Sequence, residues 1–213
     1  MIRFLSPRRA AALALLAMLG LGISACVTLF PKVKAVQIYR FDVAAGAAAT
    51  PADGSGFSVF RSPTTFGHGS DTDRILTVAG DQVAYIADAR WIAPAAVLFD
   101  EAESHAFDQS SGPAHLGRRG EVLNAPVSLR LDVESFEARY LDGDKAAPTV
   151  VVRVRASLNR VADHKVLAVR TFESQKKAAD NRIAAIVPGF DAALTEVLGQ
   201  VVSWTDVEGS KGV

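Results

Sequence analysis

Cysteine is almost absent from this chain of 213 residues, since Cys26 is the only one. No second cysteine could pair with it, and none could help a histidine to hold a transition metal. The four histidines show no three- or four-residue spacing that would place two of them on one helix face; they are His68, His105, His115 and His164. We therefore predict no metal site and no bound cofactor.

An excess of charge of one sign is also missing. The chain has 23 basic and 23 acidic residues, so its formal net charge at pH 7 is zero. Binding to nucleic acid usually requires a strongly basic face, and this composition gives no support for one. We predict no nucleic-acid partner.

The motifs that carry catalysis are missing as well. No serine stands in a G-x-S-x-G turn, and the glycines at 67 and 69 lack the third glycine of a dinucleotide site. Glu101 and Glu103 are two residues apart on a predicted helix, so they face different ways and are interpreted as part of a solvated face. We predict no catalytic residue and no enzymatic activity.

The first 25 residues have the organisation of a secretory signal peptide. Arg3, Arg8 and Arg9 precede an apolar segment that runs from Ala10 to Ile23, and there is no acidic residue among them. The apolar segment has 14 residues, whereas a membrane-spanning helix needs about 20. The alternative is an N-terminal anchor helix that is retained in the mature protein.

The residues up to Cys26 match the lipobox of bacterial lipoproteins, which is a branched apolar residue, two small residues and cysteine; they are Ile23, Ser24, Ala25 and Cys26. Resemblance to this motif implies that the Cys26 thiol carries a diacylglycerol, that the chain is cleaved before Cys26, and that the new amine is acylated. Two or three acyl chains give a stable membrane anchor. The alternative is a buried structural cysteine.

A lipidated Cys26 fixes the predicted organisation and location of the chain. Residues 1–25 are the signal peptide and residues 26–32 a lipidated tether. We predict a protein of the cell envelope that is anchored by lipid and faces the periplasm. Val27, rather than aspartate, follows the cysteine, and this favours the outer membrane over the inner membrane.

Several extended segments and one helix are predicted in the first half of the mature chain. Residues 33–43 have strand-like composition, and residues 57–63 form a possible short strand that ends at a proline. Two further runs, 74–78 and 82–91, are separated by a turn and predict a hairpin. A helix begins at Pro94 and continues to about residue 107, because apolar residues recur there at helical spacing.

The second half has clearer periodicity. Apolar and polar residues alternate over 127–133, and the alternation resumes one position out of phase at Phe136, which predicts a β-bulge. Strands at 149–161 and 166–172 complete a predicted antiparallel meander. Apolar residues at three- and four-residue steps up to Trp204 then predict an amphipathic helix, with a kink or break at Pro188 and Gly189.

These elements predict the α+β class, with an antiparallel β-sheet and two main helices packed on one of its faces. A single domain is expected over residues 33–205, followed by a flexible tail at 206–213.

Five segments of the chain resemble the ABC-type transport auxiliary lipoproteins, whose familiar members are the PqiC-like proteins. The resemblance covers residues 36 to about 204 and lies in the segments "IYRFD", "DRI", Ala89-Arg90-Trp91, "LRLDVESFEA" and Val201-Val202-Ser203-Trp204. The region "SPTTFGHGSDT" departs from the family pattern.

The resemblance implies a non-enzymatic auxiliary subunit of an MCE-type system that moves lipid between the two membranes. Its partners would be the MCE-domain substrate-binding protein and the ABC permease and ATPase, and self-association into a ring is possible. Two other functions stay open: a periplasmic lipid-carrier lipoprotein and a structural envelope lipoprotein.

The candidate partner-contact or family-motif residues are Arg74, Tyr85, Arg90 and Trp91. Tryptophan and arginine are enriched in interface hot spots. A tryptophan at the end of a strand, next to a helix start, is nevertheless more typical of the core. Arg74 and Arg90 could also form ion pairs with Asp73 and Asp88, which would be structural.

Overall fold

The computed structural model describes residues 35–43, 56–117 and 124–212. The described residues from Val36 onward belong to one compact unit. The predicted signal peptide, the lipobox residues Ile23, Ser24 and Ala25, the lipid-attachment residue Cys26 and the tether at 26–32 lie outside the described residues.

Eleven elements follow one another in the described part of the chain: β1 (Gln37–Tyr39), β2 (Phe57–Arg61), β3 (Thr65–Phe66), β4 (Arg74–Ala79), β5 (Gln82–Trp91), α1 (Ala95–Asp108), β6 (Ala114–Gly117), β7 (Val127–Arg139), β8 (Thr149–Arg160), β9 (Val166–Lys177) and α2 (Ile183–Ser210). The predicted hairpin and the helix that begins after Pro94 are confirmed. The short strands β3 and β6 were not predicted, because four residues or fewer show too little periodicity to be recognised.

The long strands β7, β8 and β9 form the predicted antiparallel meander. The predicted bulge is also confirmed: Val133 pairs with Val154 and Ser135 pairs with Arg153, so Glu134 is the extra residue. The bulge moves Phe136 onto the same face as Val133, and both side chains are buried.

The sheet is mixed rather than wholly antiparallel. One edge of β7 pairs with β8, while the other edge is shared by β2, β3 and β4, each of which runs parallel to it. Strands β1 and β5, and strands β2 and β6, are also parallel pairs. The α+β class is confirmed, but strand direction depends on how the connections cross the sheet, and side-chain alternation does not record that.

Both helices pack on one face of the sheet, around Phe136. The ring centroid of Phe190 from α2 lies 4.8 Å from that of Phe136. Phe66 of β3 lies between the sheet and α1, since its ring centroid is 6.2 Å from that of Phe136 and 5.5 Å from that of Phe99 on α1. The helix-covered face of the sheet therefore forms one aromatic core.

Helix α2 is longer than predicted. It continues through Pro188 without a break and ends at Ser210, so the predicted tail at 206–213 is helical for its first five residues. Gly209 lies against Phe57 of β2, and this packing holds the last turns of the helix. By length and composition α2 could cross a membrane, but half of its apolar window is buried within the fold.

Candidate partner-binding surface

Trp91 is a core residue. It is 2% exposed, and its ring centroid lies 4.8 Å from that of Phe41 and 5.3 Å from that of Phe190, both in edge-to-face geometry. Such aromatic pairs stabilise beyond the area they bury. The structure therefore supports the interpretation of Trp91 as a core residue, and Trp91 is no longer a candidate contact residue.

The other three candidates are brought together on the β4–β5 hairpin. Arg74 lies opposite Arg90 in the antiparallel pair, and its guanidinium carbon is 3.9 Å from the centroid of the Tyr85 ring. The Tyr85 hydroxyl donates a hydrogen bond to the carbonyl oxygen of Gly69 at 3.2 Å. Arg74 thus makes a cation–π contact, and Tyr85 joins the hairpin to the preceding loop.

Arg90 forms one of the ion pairs that the sequence suggested. Its Nη1 atom lies 2.8 Å from Oδ2 of Asp73, and both side chains are largely exposed. An exposed pair of this kind contributes little to stability, typically about 0–1 kcal/mol. The guanidinium is therefore accessible to a partner at low cost.

Two exposed isoleucines lie beside these polar groups. Ile38 of β1 is in register with Arg90, and Ile92 follows β5 with its N–H bonded to the carbonyl oxygen of Tyr39 at 2.7 Å. They are 56% and 65% exposed. We call the surface formed by Ile38, Arg74, Tyr85, Arg90 and Ile92 the hairpin face; it combines apolar, aromatic and arginine side chains, as interface hot spots do.

Strand β1 is held in place by an acidic residue that follows it. Asp42 Oδ1 lies 3.0 Å from Nδ1 of His105 on α1, and the Asp42 backbone N–H donates to Oδ1 of Asp191 on α2 at 3.3 Å. Burial raises the pKa of Asp42, but hydrogen bonds from His105 and from the Val43 N–H outweigh it, so the pKa is lowered. Asp42 thus ties β1, and with it Ile38, to both helices, through its carboxylate to α1 and through its backbone N–H to α2.

A second polar cluster lies between α1 and β2. Glu103 is 1% exposed, and its Oε2 atom is 2.8 Å from Nε of Arg61. Arg61 also pairs with Asp100, which accepts a hydrogen bond from the Thr64 hydroxyl at 2.9 Å. Burial raises the pKa of Glu103 to about 7, against the attraction of Arg61.

The interpretation of Glu103 as a solvated residue is therefore wrong. The sequence did contain evidence that Glu103 is buried. Position 103 is four residues from both Phe99 and Phe107, which puts it on the apolar side of the helix. Because the carboxyl is buried, it is out of reach of a dissolved substrate, and its contacts join a helix to a strand.

A family model of proteins described as the "ABC-type transport auxiliary lipoprotein component" matches residues 39–202. That range includes nearly all of the described fold. The chain belongs to this family. Among the curated proteins, none matches the chain. The family description names a lipoprotein that is auxiliary to ABC-type transport, which agrees with the auxiliary-lipoprotein part of the predicted function.

Two solved structures share the fold of this transport auxiliary lipoprotein. A Xanthomonas campestris protein is 23% identical at a TM-score of 0.69, and the match covers 82% of this chain and 98% of that one. A protein described as uncharacterized is 11% identical at a TM-score of 0.63, with coverages of 80% and 99%. At such identities the likeness shows the fold alone.

Proposed function

We propose that this chain is a lipid-anchored auxiliary subunit of an MCE-type ABC system that moves lipid between membranes. The family match over residues 39–202 carries this proposal. The chain would be attached through Cys26, favoured at the outer membrane by Val27, and would face the periplasm. It would bind the MCE-domain substrate-binding protein, which works with the permease and the ATPase.

The hairpin face is the proposed contact with the MCE protein. Ile38 and Ile92 offer apolar area, and Arg90 offers a guanidinium held by one exposed ion pair. A partner carboxylate could replace Asp73 or share the guanidinium with it. The ties from Asp42 to both helices hold β1 in position, so binding would require little rearrangement there.

The packing of α2 weighs against the lipid-carrier alternative. A carrier of this fold would need its helices to stand off the sheet and enclose an apolar pocket. Instead, a Cβ atom added at Gly189 would lie 2.9 Å from Cγ2 of Val150. The helix and the sheet are therefore in direct contact at this position, and no acyl chain could enter between them there.

An affinity pull-down from gently solubilised membranes tests the proposal. The tagged full-length protein would be compared with Ile92→Asp, which places a charge in the hairpin face, and with Leu141→Asp, which makes the same kind of change at another exposed apolar position. We expect the wild type and Leu141→Asp to recover an MCE-domain protein and its permease. Ile92→Asp should recover at least about tenfold less, as hot-spot losses do.

Three results would contradict parts of this proposal. Equal recovery by all three proteins would keep the auxiliary function but remove the hairpin face from it. Recovery of lipid with no transporter subunit would favour the carrier, and recovery of neither would favour a structural envelope lipoprotein.

A further inference from the structure

Strand β9 has a long unpaired edge. It pairs with β8 over its whole length, Val166–Lys177, and no other strand in the described part of the chain pairs with it. The strand contains no proline, and Val166 and Val169 are about half exposed. Natural sheets protect an edge by keeping it short or by placing proline, charged residues or a bulge in it. β9 has four charged residues, Arg170, Glu173, Lys176 and Lys177, and a bulge near Val166, but its 12 residues without proline still leave a long row of backbone groups for strand pairing.

A groove runs between this edge and α2. Its larger part has a volume of about 680 Å³ and is lined by Phe172 and Trp204, whose ring centroids are 5.8 Å apart. A second part of about 420 Å³ lies beside Pro188, and both parts include Thr195 and Glu196 in their lining. The two parts therefore adjoin each other at Thr195 and Glu196, and we call them together the β9 groove.

The β9 groove contains one cation that no acidic side chain neutralises. Lys176 is paired with Glu196 at 2.6 Å, and Glu208 with Lys211 at 2.7 Å. Arg170 has no carboxylate within ion-pair distance among the described residues; its guanidinium carbon instead lies 5.1 Å from the centroid of the Phe172 ring. An exposed guanidinium above an aromatic ring is suited to receive a carboxylate.

We infer that the β9 groove binds an extended segment of a partner protein, which adds a strand to β9 and places one carboxylate at Arg170. The rest of that segment is not acidic, because Asp191, Glu196 and Glu208 also line the groove. A row of unpaired N–H and C=O groups is matched by another extended backbone, whereas a helix or an acyl chain offers no such row. Alternate side chains of the added strand would point over Phe172 and Trp204. The groove lies at the opposite edge of the sheet from the hairpin face, so this inference does not depend on the proposed MCE contact.

The chain offers matched variants for a test. A Cβ atom at Gly199 would have no atom within 4 Å, so Gly199→Tyr should fill the groove without disturbing the core. Arg170→Glu reverses the unpaired charge. Arg155→Glu is the control, because Arg155 is an exposed arginine on the neighbouring strand. In the register Arg155 pairs with Thr171, whereas Arg170 pairs with the buried Ala156. The two arginines therefore lie on opposite faces of the sheet.

The probe would be a displayed library of peptides of 12 residues, the length of β9, selected on the detergent-solubilised full-length protein. We expect the selected peptides to be rich in β-formers, to share one acidic residue at a fixed position, and to protect backbone amides of β9 in hydrogen exchange. By calorimetry their affinity should fall at least about tenfold in Arg170→Glu and Gly199→Tyr but stay within about twofold in Arg155→Glu.

Four results would overturn the inference: no selected peptide, equal binding by all variants, binding that leaves the β9 amides unprotected, or cross-links from a photoreactive residue placed at position 200 that show a second copy of this chain in the groove. The pull-down distinguishes this outcome from failure of the proposed function. Recovery of an MCE protein alongside any of these results would leave the auxiliary role intact, and failure of the pull-down would leave the peptide result valid.

Discussion

At the scale of single residues, the most unusual side chain is the buried carboxyl of Glu103. Its ion pair with Arg61 lies between α1 and β2, and Asp100 on the same helix turn competes for that guanidinium. A buried ion pair stabilises a fold less than its geometry suggests, because both charges lose their hydration. The pKa of about 7 expresses that loss, since burial is its largest cause.

Glu103 should make the stability of the protein depend on pH. Its pKa in the folded protein, about 7, lies above the ordinary value of 4.5, so the folded state binds the proton more tightly than the unfolded chain. Its contribution to the free energy of unfolding is complete below pH 4.5 and is lost as the pH rises through about 7. We expect the unfolding free energy of the wild type minus that of Glu103→Gln to fall as the pH rises from 4.5 to 7. Urea denaturation at each pH measures this difference.

Glu101→Gln provides the control, because Glu101 is an exposed carboxyl on the same helix. Its free energy of unfolding relative to the wild type, measured over the same pH range, shows how much of the slope comes from removing any glutamate from this helix. A flat difference for Glu103→Gln between pH 4.5 and 7 would contradict the raised pKa.

At the scale of elements, α2 contains two glycines in opposite surroundings. Gly189 faces the sheet, where an added Cβ would lie 2.9 Å from Cγ2 of the buried Val150. Gly199 faces solvent, where an added Cβ would meet nothing within 4 Å. One glycine allows the helix to approach the sheet closely, and the other only lowers helix propensity.

Alanine at the two positions should therefore have opposite effects. Gly189→Ala is expected to lower the free energy of unfolding by about 1–3 kcal/mol, because Val150 is closely packed and has to shift. Gly199→Ala should raise it by up to about 1 kcal/mol through helix propensity alone. Urea midpoints at constant m-value measure both, and equal effects of the two substitutions would show that α2 does not lie against β8 as described.

At the scale of the whole molecule, attachment to the membrane is predicted to depend on Cys26. The wild-type chain isolated from membranes should begin at residue 26 and carry the extra mass of acyl groups. Cys26→Ser should keep its first 25 residues and carry no lipid, because serine has no thiol to alkylate. Mass spectrometry of the intact protein distinguishes the two, and an unmodified wild-type Cys26 would refute the anchor.

The order of strands gives the molecule two separate edges for partners. Strand β7 is central, with β8 and β9 on one side and β4, β5 and β1 on the other. The hairpin face lies towards the β1 edge, while the β9 groove lies along the opposite edge. Two partners could therefore bind at once without competing for the same strand.

Side-chain alternation and helical spacing were enough to predict the hairpin, the bulge near Phe136 and both helices, because these features depend on neighbours close in the chain. The family was also recognisable from short segments such as "DRI" and Ala89-Arg90-Trp91. The motif at Ile23 to Cys26 predicted the lipid anchor in the same way, since a modifying enzyme recognises a local sequence.

Only the tertiary structure decided which residues meet across the fold. The parallel pairing of β2, β3 and β4 with β7 depends on crossover connections, and local patterns do not contain their direction. The buried Glu103 has an ion-pair partner because Arg61 arrives from a strand more than 40 residues earlier in the chain. Arg170 and Trp204 line one groove because α2 lies along β9. The candidate sites depend on such packing between distant parts of the chain, and local periodicity does not encode it.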